Sequence, residues 1–166
     1  TSSAVTISEG SIVVNDGTFA DGDGDAVAIT ADIGVIMQNN SIGTWQWSYD
    51  STDDVLLTEV TVTATDSHGE TSLTRFSLTV NNVAPTATIG NNGPVNEGSS
   101  VTISIGSATD VSIDDLTAGL RYSFALDEME LVAGYADADV DTSFETAFAD
   151  NGSFTVFGRV FDKDGG

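Results

Sequence analysis

The sequence predicts an all-β fold made of two tandem β-sandwiches, the second of which lacks its last strand. Short segments alternate between apolar and polar residues and are separated by turns rich in Gly, Asp and Asn. A skeleton of turn and strand residues occurs twice, at an offset of roughly 88 to 96 residues, the size of a small all-β domain. Hydrophobic residues make up 40% of the 166 residues, which is enough to bury a core.

The predicted strands are rich in Thr, Val, Ile and aromatic residues, as half-buried pleated surfaces favour. In the first half they cover residues 11–19, 44–49, 60–65 and 73–80. In the second half they cover residues 101–105, 120–124 and 154–161. Only residues 126–132 indicate helix, enough for a turn or two.

The internal repeat sets the predicted boundaries. A Gly is followed four residues later by Asp21 in the first copy and by Asp110 in the second. Each copy later runs from a strand into Asp-x-x-Gly, beginning at Asp66 and at Asp162. A short polar stretch ending in a proline lies between the copies, so we predict modules at residues 1–82 and 83–166.

The same alignment predicts an incomplete second module. The first module continues after Asp66 to its last strand, whereas only four residues follow Asp162. We therefore expect the second module to have an exposed or intermolecularly paired sheet edge, because unpaired edges recruit strands.

Charge limits the classes of partner. The chain has 26 acidic and 4 basic residues, a net charge of −22, and each half carries −11. Such a chain is repelled by phosphate backbones, so we expect no nucleic-acid binding. The chain contains no Cys, which excludes disulfides and thiolate zinc sites, and it has no apolar run of 18 residues, so we expect no membrane insertion. Crowded carboxylates without His or Cys ligands favour calcium.

The strongest local signal is Asp21-Gly-Asp-Gly-Asp25. Carboxylates at alternate positions can converge on one cation, and the intervening glycines permit the close approach. The segment departs from an EF-hand loop, because Ala26 stands where that loop needs Gly and Asp32 stands in place of its last Glu. A calcium site and a solvated acidic turn are both open.

Several segments resemble known extracellular repeats. Residues 17–25, 43–49 and 62–69 resemble the immunoglobulin-like tandem repeats of large bacterial surface and secreted proteins. The second module resembles a polycystic-kidney-disease-type (PKD) domain at residues 85–88, 96–102, 108–110, 120–124, 149–156 and 160–165. It departs from that family at residues 122–127 and in an insert at 127–143. The resemblance implies spacer or adhesion modules, some of them rigidified by calcium and some attached to secreted hydrolases.

The immunoglobulin-like arrangement predicts where the acids gather. The loops after the second and sixth strands lie at one end of such a sandwich. We therefore expect the metal ligands to be Asp21, Asp23, Asp25 and Asp66 in the first module, and Asp110, Asp114, Asp162 and Asp164 in the second, with Asp115 beside them. Glu9 and Asn82 lie at the other end of the first module, and a cadherin-like linker site between modules is a further expectation.

Two other groups have a functional and a structural interpretation. Trp45, Trp47 and Tyr49 share one strand face, which suits a sugar-stacking surface or a core, and we favour the core, as for the aromatic residues Tyr122, Phe124, Phe144, Phe148 and Phe154. His68 follows Asp66 and Ser67, but sequence neighbours on one turn do not make a hydrolase triad, so we expect an exposed loop residue.

These observations predict a non-catalytic extracellular repeat, secreted or at the cell surface, for structure or adhesion and stiffened by calcium in its acidic loops. The alternative is an accessory module that binds carbohydrate or protein fibres for a secreted hydrolase. The expected partners are neighbouring modules of the same chain and a cell-surface or matrix polymer.

Overall fold

The structure is a computed structural model that describes residues 2–166. The chain divides into two compact units, one ending at Asn82 and the other beginning at Val83, here called unit 1 and unit 2. Strands dominate both, so the prediction of an all-β fold is confirmed. Among residues 2–166, no helix is long and apolar enough to cross a membrane.

Unit 1 is a seven-stranded sandwich. Its strands are β1 (Ala4–Ser8), β2 (Ile12–Thr18), β3 (Ala28–Ala31), β4 (Val35–Asn39), β5 (Thr44–Asp50), β6 (Val55–Thr65) and β7 (Thr71–Asn81). One sheet has the order β1-β7-β6-β3 and the other has the order β2-β5-β4. This is an immunoglobulin-like strand order in which β1 pairs in parallel with the last strand. The order places the β2–β3 loop and the β6–β7 turn at the same end.

The core of unit 1 lies between the two sheets. Alternate residues of β7 are buried, namely Phe76, Leu78 and Val80, each with an exposed fraction of 2% or less. They pack with Trp45 and Trp47 from β5. The period-two patterns of these strands therefore mark the inward faces, as predicted.

Unit 2 has five strands and one short helix. They are β8 (Thr86–Asn91), β9 (Ser100–Thr109), α1 (Ile113–Ala118), β10 (Arg121–Ala125), β11 (Ser143–Ala147) and β12 (Phe157–Phe161). One sheet has the order β11-β9-β8, and the other consists of β10 and β12 alone. Among the described residues β12 is the last strand.

The structure differs from the sequence prediction in the start of one strand, in one helix and in five strands. Strand β12 begins at Phe157, three residues later than predicted, whereas the single 3₁₀ turn at Glu128–Glu130 agrees with the turn or two expected in residues 126–132. The helix α1 was not predicted, although its signal is present, because the side chain of Ser112 accepts the backbone N–H of Asp115 at 3.1 Å and caps the helix. The strands β1, β3, β4, β8 and β11 were also missed, being short or irregular in pattern.

Candidate metal centres in the acidic loops

The β2–β3 loop is organised by the first carboxylate of its acidic motif. Oδ1 of Asp21 accepts the backbone N–H groups of Asp23, Gly24 and Asp25 at 3.1, 2.9 and 3.0 Å. Gly24 has a φ of 90°, a conformation that glycine adopts without strain. One oxygen of Asp21 thus holds the turn, and ligand atoms of Asp21, Asp23 and Asp25 lie within 4.8 Å of one another.

Asp21 and Asp23, at the start of this loop, have pKa values shifted in opposite directions. A side-chain hydrogen bond from Asp23, helped by backbone N–H groups, lowers the pKa of Asp21. The same hydrogen bond, together with the negative charge of Asp21, raises the pKa of Asp23. Opposite pKa shifts of this kind are expected for two carboxyl groups that are close enough to interact directly.

The β6–β7 turn brings a fourth carboxylate and the single His to the same end. Oδ1 of Asp66 accepts the backbone N–H groups of His68 and Glu70 at 2.8 and 2.9 Å. Nδ1 of His68 lies 2.6 Å from Oδ2 of Asp25, and ligand atoms of Asp25, Asp66 and His68 all lie within 4.8 Å of one another. The predicted meeting of the two loops therefore occurs, with His68 as an added member.

His68 has no part in a hydrolase triad with its sequence neighbours. Its side chain is 74% exposed and its ring faces Asp25 from the other loop, whereas Asp66 binds its backbone N–H. The expectation of an exposed loop residue agrees with this geometry. Its contact with Asp25 was missed, because only the fold joins residues 43 positions apart.

In unit 2 the aligned aspartate, Asp162, accepts backbone hydrogen bonds in the same pattern as Asp66. Oδ1 of Asp162 accepts the backbone N–H groups of Asp164 and Gly166 at 2.9 and 2.8 Å, which are two and four residues further on, as in the β6–β7 turn. Asp162 is fully buried. The Asp-x-x-Gly repeat in the sequence therefore corresponds to a repeated local structure.

A buried carboxylate lies beside this turn in unit 2. The side chain of Asp115 is 0% exposed, and its Oδ1 lies 3.1 Å from Nζ of Lys163, which also pairs with Asp164. Among the described residues, Oδ2 of Asp115 has no hydrogen-bond partner. Asp110 is similar, because its Oδ1 accepts the N–H of Ser112 at 2.8 Å while its buried Oδ2 has no such partner.

The predicted ligand Asp114 has a different environment from its neighbour. Asp114 is exposed in the first turn of α1, whereas the next residue, Asp115, points inward. Ligand atoms of Asp110 and Asp115 lie within 4.8 Å of one another. The helix decides this, because successive residues on a helix face different directions, and the helix was not predicted.

Unit 1 contains a further cluster of acidic residues that was not predicted. Glu9, in the β1–β2 turn, is only 2% exposed, and its ligand oxygens lie within 4.8 Å of those of Asp53 and Asp54 in the β5–β6 turn. The two turns are joined by a hydrogen bond of 2.8 Å from the Gly10 N–H to the Ser51 carbonyl. The adjacent Asp53 and Asp54 could have signalled it.

The aromatic residues confirm the core interpretation in unit 1. Trp45 and Trp47 are 4% and 0% exposed, and the Trp47 ring contacts Phe76 edge-on at 4.9 Å between centroids. No sugar-stacking surface is therefore available from these two residues. In unit 2 one prediction was wrong, because Phe154 is 51% exposed and stacks on Phe148 at 3.9 Å.

These donor sets suit calcium more than other common metals. They supply carboxylate oxygens and at most one imidazole, and calcium takes hard oxygen ligands. In unit 2 a cation would supply a partner to two buried oxygens, Oδ2 of Asp110 and Oδ2 of Asp115.

Comparisons with known proteins add little. No protein-family model matches the sequence, and no curated protein matches it. Among solved structures, the chain is similar to the human desmocollin-1 ectodomain, with 12% identity and a TM-score of 0.32. The match covers 98% of this chain and 33% of that ectodomain, so the chain spans a third of its length. The fold of unit 1 is defined by its own strand order, β1-β7-β6-β3 against β2-β5-β4.

Proposed function

We propose that this chain is a non-catalytic extracellular repeat, used for structure or adhesion, whose acidic loops bind calcium and are stiffened by it. Neighbouring modules of the same chain are its proposed partners. A location outside the cell fits this function, because low-affinity calcium sites of extracellular modules fill at about 10⁻⁴ to 10⁻³ M.

The observation that carries the calcium proposal is the burial of Asp115. An ionised carboxylate removed from water costs several kcal/mol unless charges and hydrogen bonds compensate it. Lys163 reaches one oxygen at 3.1 Å, and the other oxygen has no hydrogen-bond partner among the described residues, as is true of Oδ2 of Asp110. A divalent cation bound by both oxygens would offset this cost.

The loops of unit 1 support the same proposal. Asp21 and Asp66 each use one oxygen to hold their own loop, which leaves the second oxygen of each for a ligand. A cation would neutralise carboxylates that otherwise repel by about 4 kcal/mol at 4 Å and an effective dielectric of 20. Calcium binding would link the two loops and make this end rigid.

Calorimetric melting at constant ionic strength tests the proposal. A cation that binds only the folded form stabilises it by about 2.7 kcal/mol at one hundred times its Kd. For a unit of this size that corresponds to a rise in Tm of roughly 10 to 20 °C. We expect this rise with calcium, a reversal with chelator, and a much smaller effect of an equal concentration of magnesium.

Adjacent residues of α1 provide a matched pair of variants. Asp115→Asn and Asp114→Asn remove the same charge one residue apart, but only the first is buried beside Asp110. We expect Asp115→Asn to abolish the calcium-dependent rise in the Tm of unit 2 and Asp114→Asn to preserve it. An identical Tm with and without calcium in the unaltered protein would refute the calcium proposal and leave the fold unaffected.

A further inference from the structure

His68 carries the single imidazole of the chain, and the fold places it beside carboxylates of unit 1. Its Nδ1 lies 2.6 Å from Oδ2 of Asp25 in the β2–β3 loop, and it shares the β6–β7 turn with Asp66. Ligand atoms of Asp25, Asp66 and His68 all lie within 4.8 Å of one another. One imidazole nitrogen and two carboxylate oxygens therefore converge from two loops that are distant in the sequence.

The backbone of the β6–β7 turn is held without help from the imidazole ring. Oδ1 of Asp66 accepts the backbone N–H groups of His68 and Glu70 at 2.8 and 2.9 Å. The side chain of His68 is 74% exposed, so it buries little surface, and an exposed contact with one carboxylate adds little to stability. The turn thus presents the ring toward Asp25, while the ring itself is hardly used for folding.

The matching turn of unit 2 has a different donor at the same place. Asp162 accepts backbone N–H groups in the pattern of Asp66, and Asp164 stands where unit 1 has His68. The carboxylate of Asp164 pairs with Lys163. The same backbone scaffold therefore presents an oxygen in unit 2 and an imidazole nitrogen in unit 1.

A nitrogen donor changes which ion this end of unit 1 prefers. Calcium takes six to eight oxygen ligands, whereas imidazole suits zinc, copper and nickel. Zinc takes four ligands, and sites with three protein ligands are completed by water. Two carboxylates, one imidazole and one water would therefore fill the coordination of zinc, whereas calcium would need several further oxygens and gain nothing from the ring.

The spacing of the donors fits zinc after a small movement of one side chain. Bond lengths of about 2.0–2.1 Å place the ligand atoms of a tetrahedral zinc ion about 3.3 Å apart. Nδ1 of His68 and Oδ2 of Asp25 lie 2.6 Å apart, so this pair has to open by about 0.7 Å. Rotation of the exposed His68 side chain supplies such a movement without disturbing the backbone of the turn.

We propose that Asp25, Asp66 and His68 bind a divalent transition-metal ion of the zinc class, and that the imidazole selects this ion over calcium. The inference deepens the proposed function and rests on it in one respect, namely that the loops at this end of unit 1 bind a divalent cation. Zinc competes with calcium here, because Asp25 and Asp66 are ligands of both ions. Unit 2 contains no His and keeps its preference for calcium.

Calorimetric titration of the full chain with zinc tests the proposal, in excess magnesium that occupies carboxylates acting without an imidazole. We expect the zinc affinity to fall at least about tenfold in His68→Gln, which retains both carboxylates. The matched control is Glu70→Gln, which removes a negative charge from the same turn at a residue outside the ligand group. The zinc affinity of this control should stay within about threefold of the unaltered protein.

The imidazole resonances provide a second measurement. The chain has one His, so the ring C–H signals in a proton NMR spectrum are assigned without ambiguity. Zinc should shift these signals through direct coordination, and an equal concentration of calcium should shift them much less. Circular dichroism confirms that each variant is folded.

Three results would overturn the proposal. These are the absence of zinc binding in excess magnesium, equal zinc affinities of the unaltered protein and His68→Gln, and imidazole resonances that zinc leaves in place. Failure of the calcium proposal is distinguishable, because calcium would then leave the Tm unchanged while zinc still binds through His68.

Discussion

Replacement of Trp47 is the sharpest test of the core of unit 1. The side chain is 0% exposed, its Nε1 donates to the Ile33 carbonyl at 2.6 Å, and its ring contacts Phe76. A fully buried aromatic side chain removes about 150–250 Å² from water, and truncation of Trp to Ala costs about 3–5 kcal/mol. In Trp47→Phe one ring remains, so we expect a loss of about 2 kcal/mol, of which the lost hydrogen bond accounts for about 1 kcal/mol.

The assay is urea unfolding followed by tryptophan fluorescence. Both tryptophans lie in unit 1, so the signal reports that unit alone, and Trp45, 4% exposed, remains as the reporter in Trp47→Phe. With a slope of about 1–2 kcal/mol per M, the midpoint should fall by roughly 1 to 2 M. Met37→Ala, at a 70% exposed residue of β4 in the same sheet, should change stability by less than about 0.5 kcal/mol.

The refuting results are equally specific. An unchanged midpoint in Trp47→Phe, or emission of the unaltered protein that is as red and as readily quenched as free tryptophan, would contradict the burial. Either result would again allow the tryptophans of this strand to form a sugar-stacking surface.

Three other predictions concern the loops. Gly34→Ala should destabilise unit 1 by about 2 kcal/mol or more in the same fluorescence assay, because Gly34 has a φ of 79° and a Cβ there would lie 2.6 Å from the Ser48 carbonyl oxygen. The control is Gly24→Ala, at a φ of 90° but in open space, which should cost only about 1–2 kcal/mol. Equal losses of stability in the two variants would contradict the steric argument. The calcium affinity of the β2–β3 loop should fall as the pH is lowered from 7 toward 4. The reason is that Asp21 raises the pKa of Asp23, so Asp23 takes up a proton that must leave when calcium binds. Calcium titrations of the Asp23→Asn variant should show a weaker dependence of affinity on pH. Asp66→Asn keeps the oxygen that accepts the His68 and Glu70 N–H groups, so the Tm of this variant without calcium should stay within about 2 °C of the unaltered protein. The rise in Tm on adding calcium should be smaller than in the unaltered protein. An undiminished rise would show that Asp66 is not a calcium ligand.

Much of the fold follows from the sequence because sheet periodicity is a local property. The alternation in residues 73–80 selects Phe76, Leu78 and Val80 for the interior, and the structure buries all three. The repeated Asp-x-x-Gly predicted equivalent turns, and Asp66 and Asp162 hold the same backbone positions, two and four residues further on.

The tertiary structure decided which acids meet and which are buried. Asp25 and His68 are 43 residues apart and touch only because the sandwich places their loops at one end. In the sequence Asp114 and Asp115 are two adjacent aspartates with nothing to separate them. A six-residue helix turns Asp114 outward and Asp115 into the interior. Phe154 resembles a core aromatic in the sequence, yet the tertiary structure leaves it 51% exposed and stacked on Phe148, because burial depends on which surfaces the fold brings together.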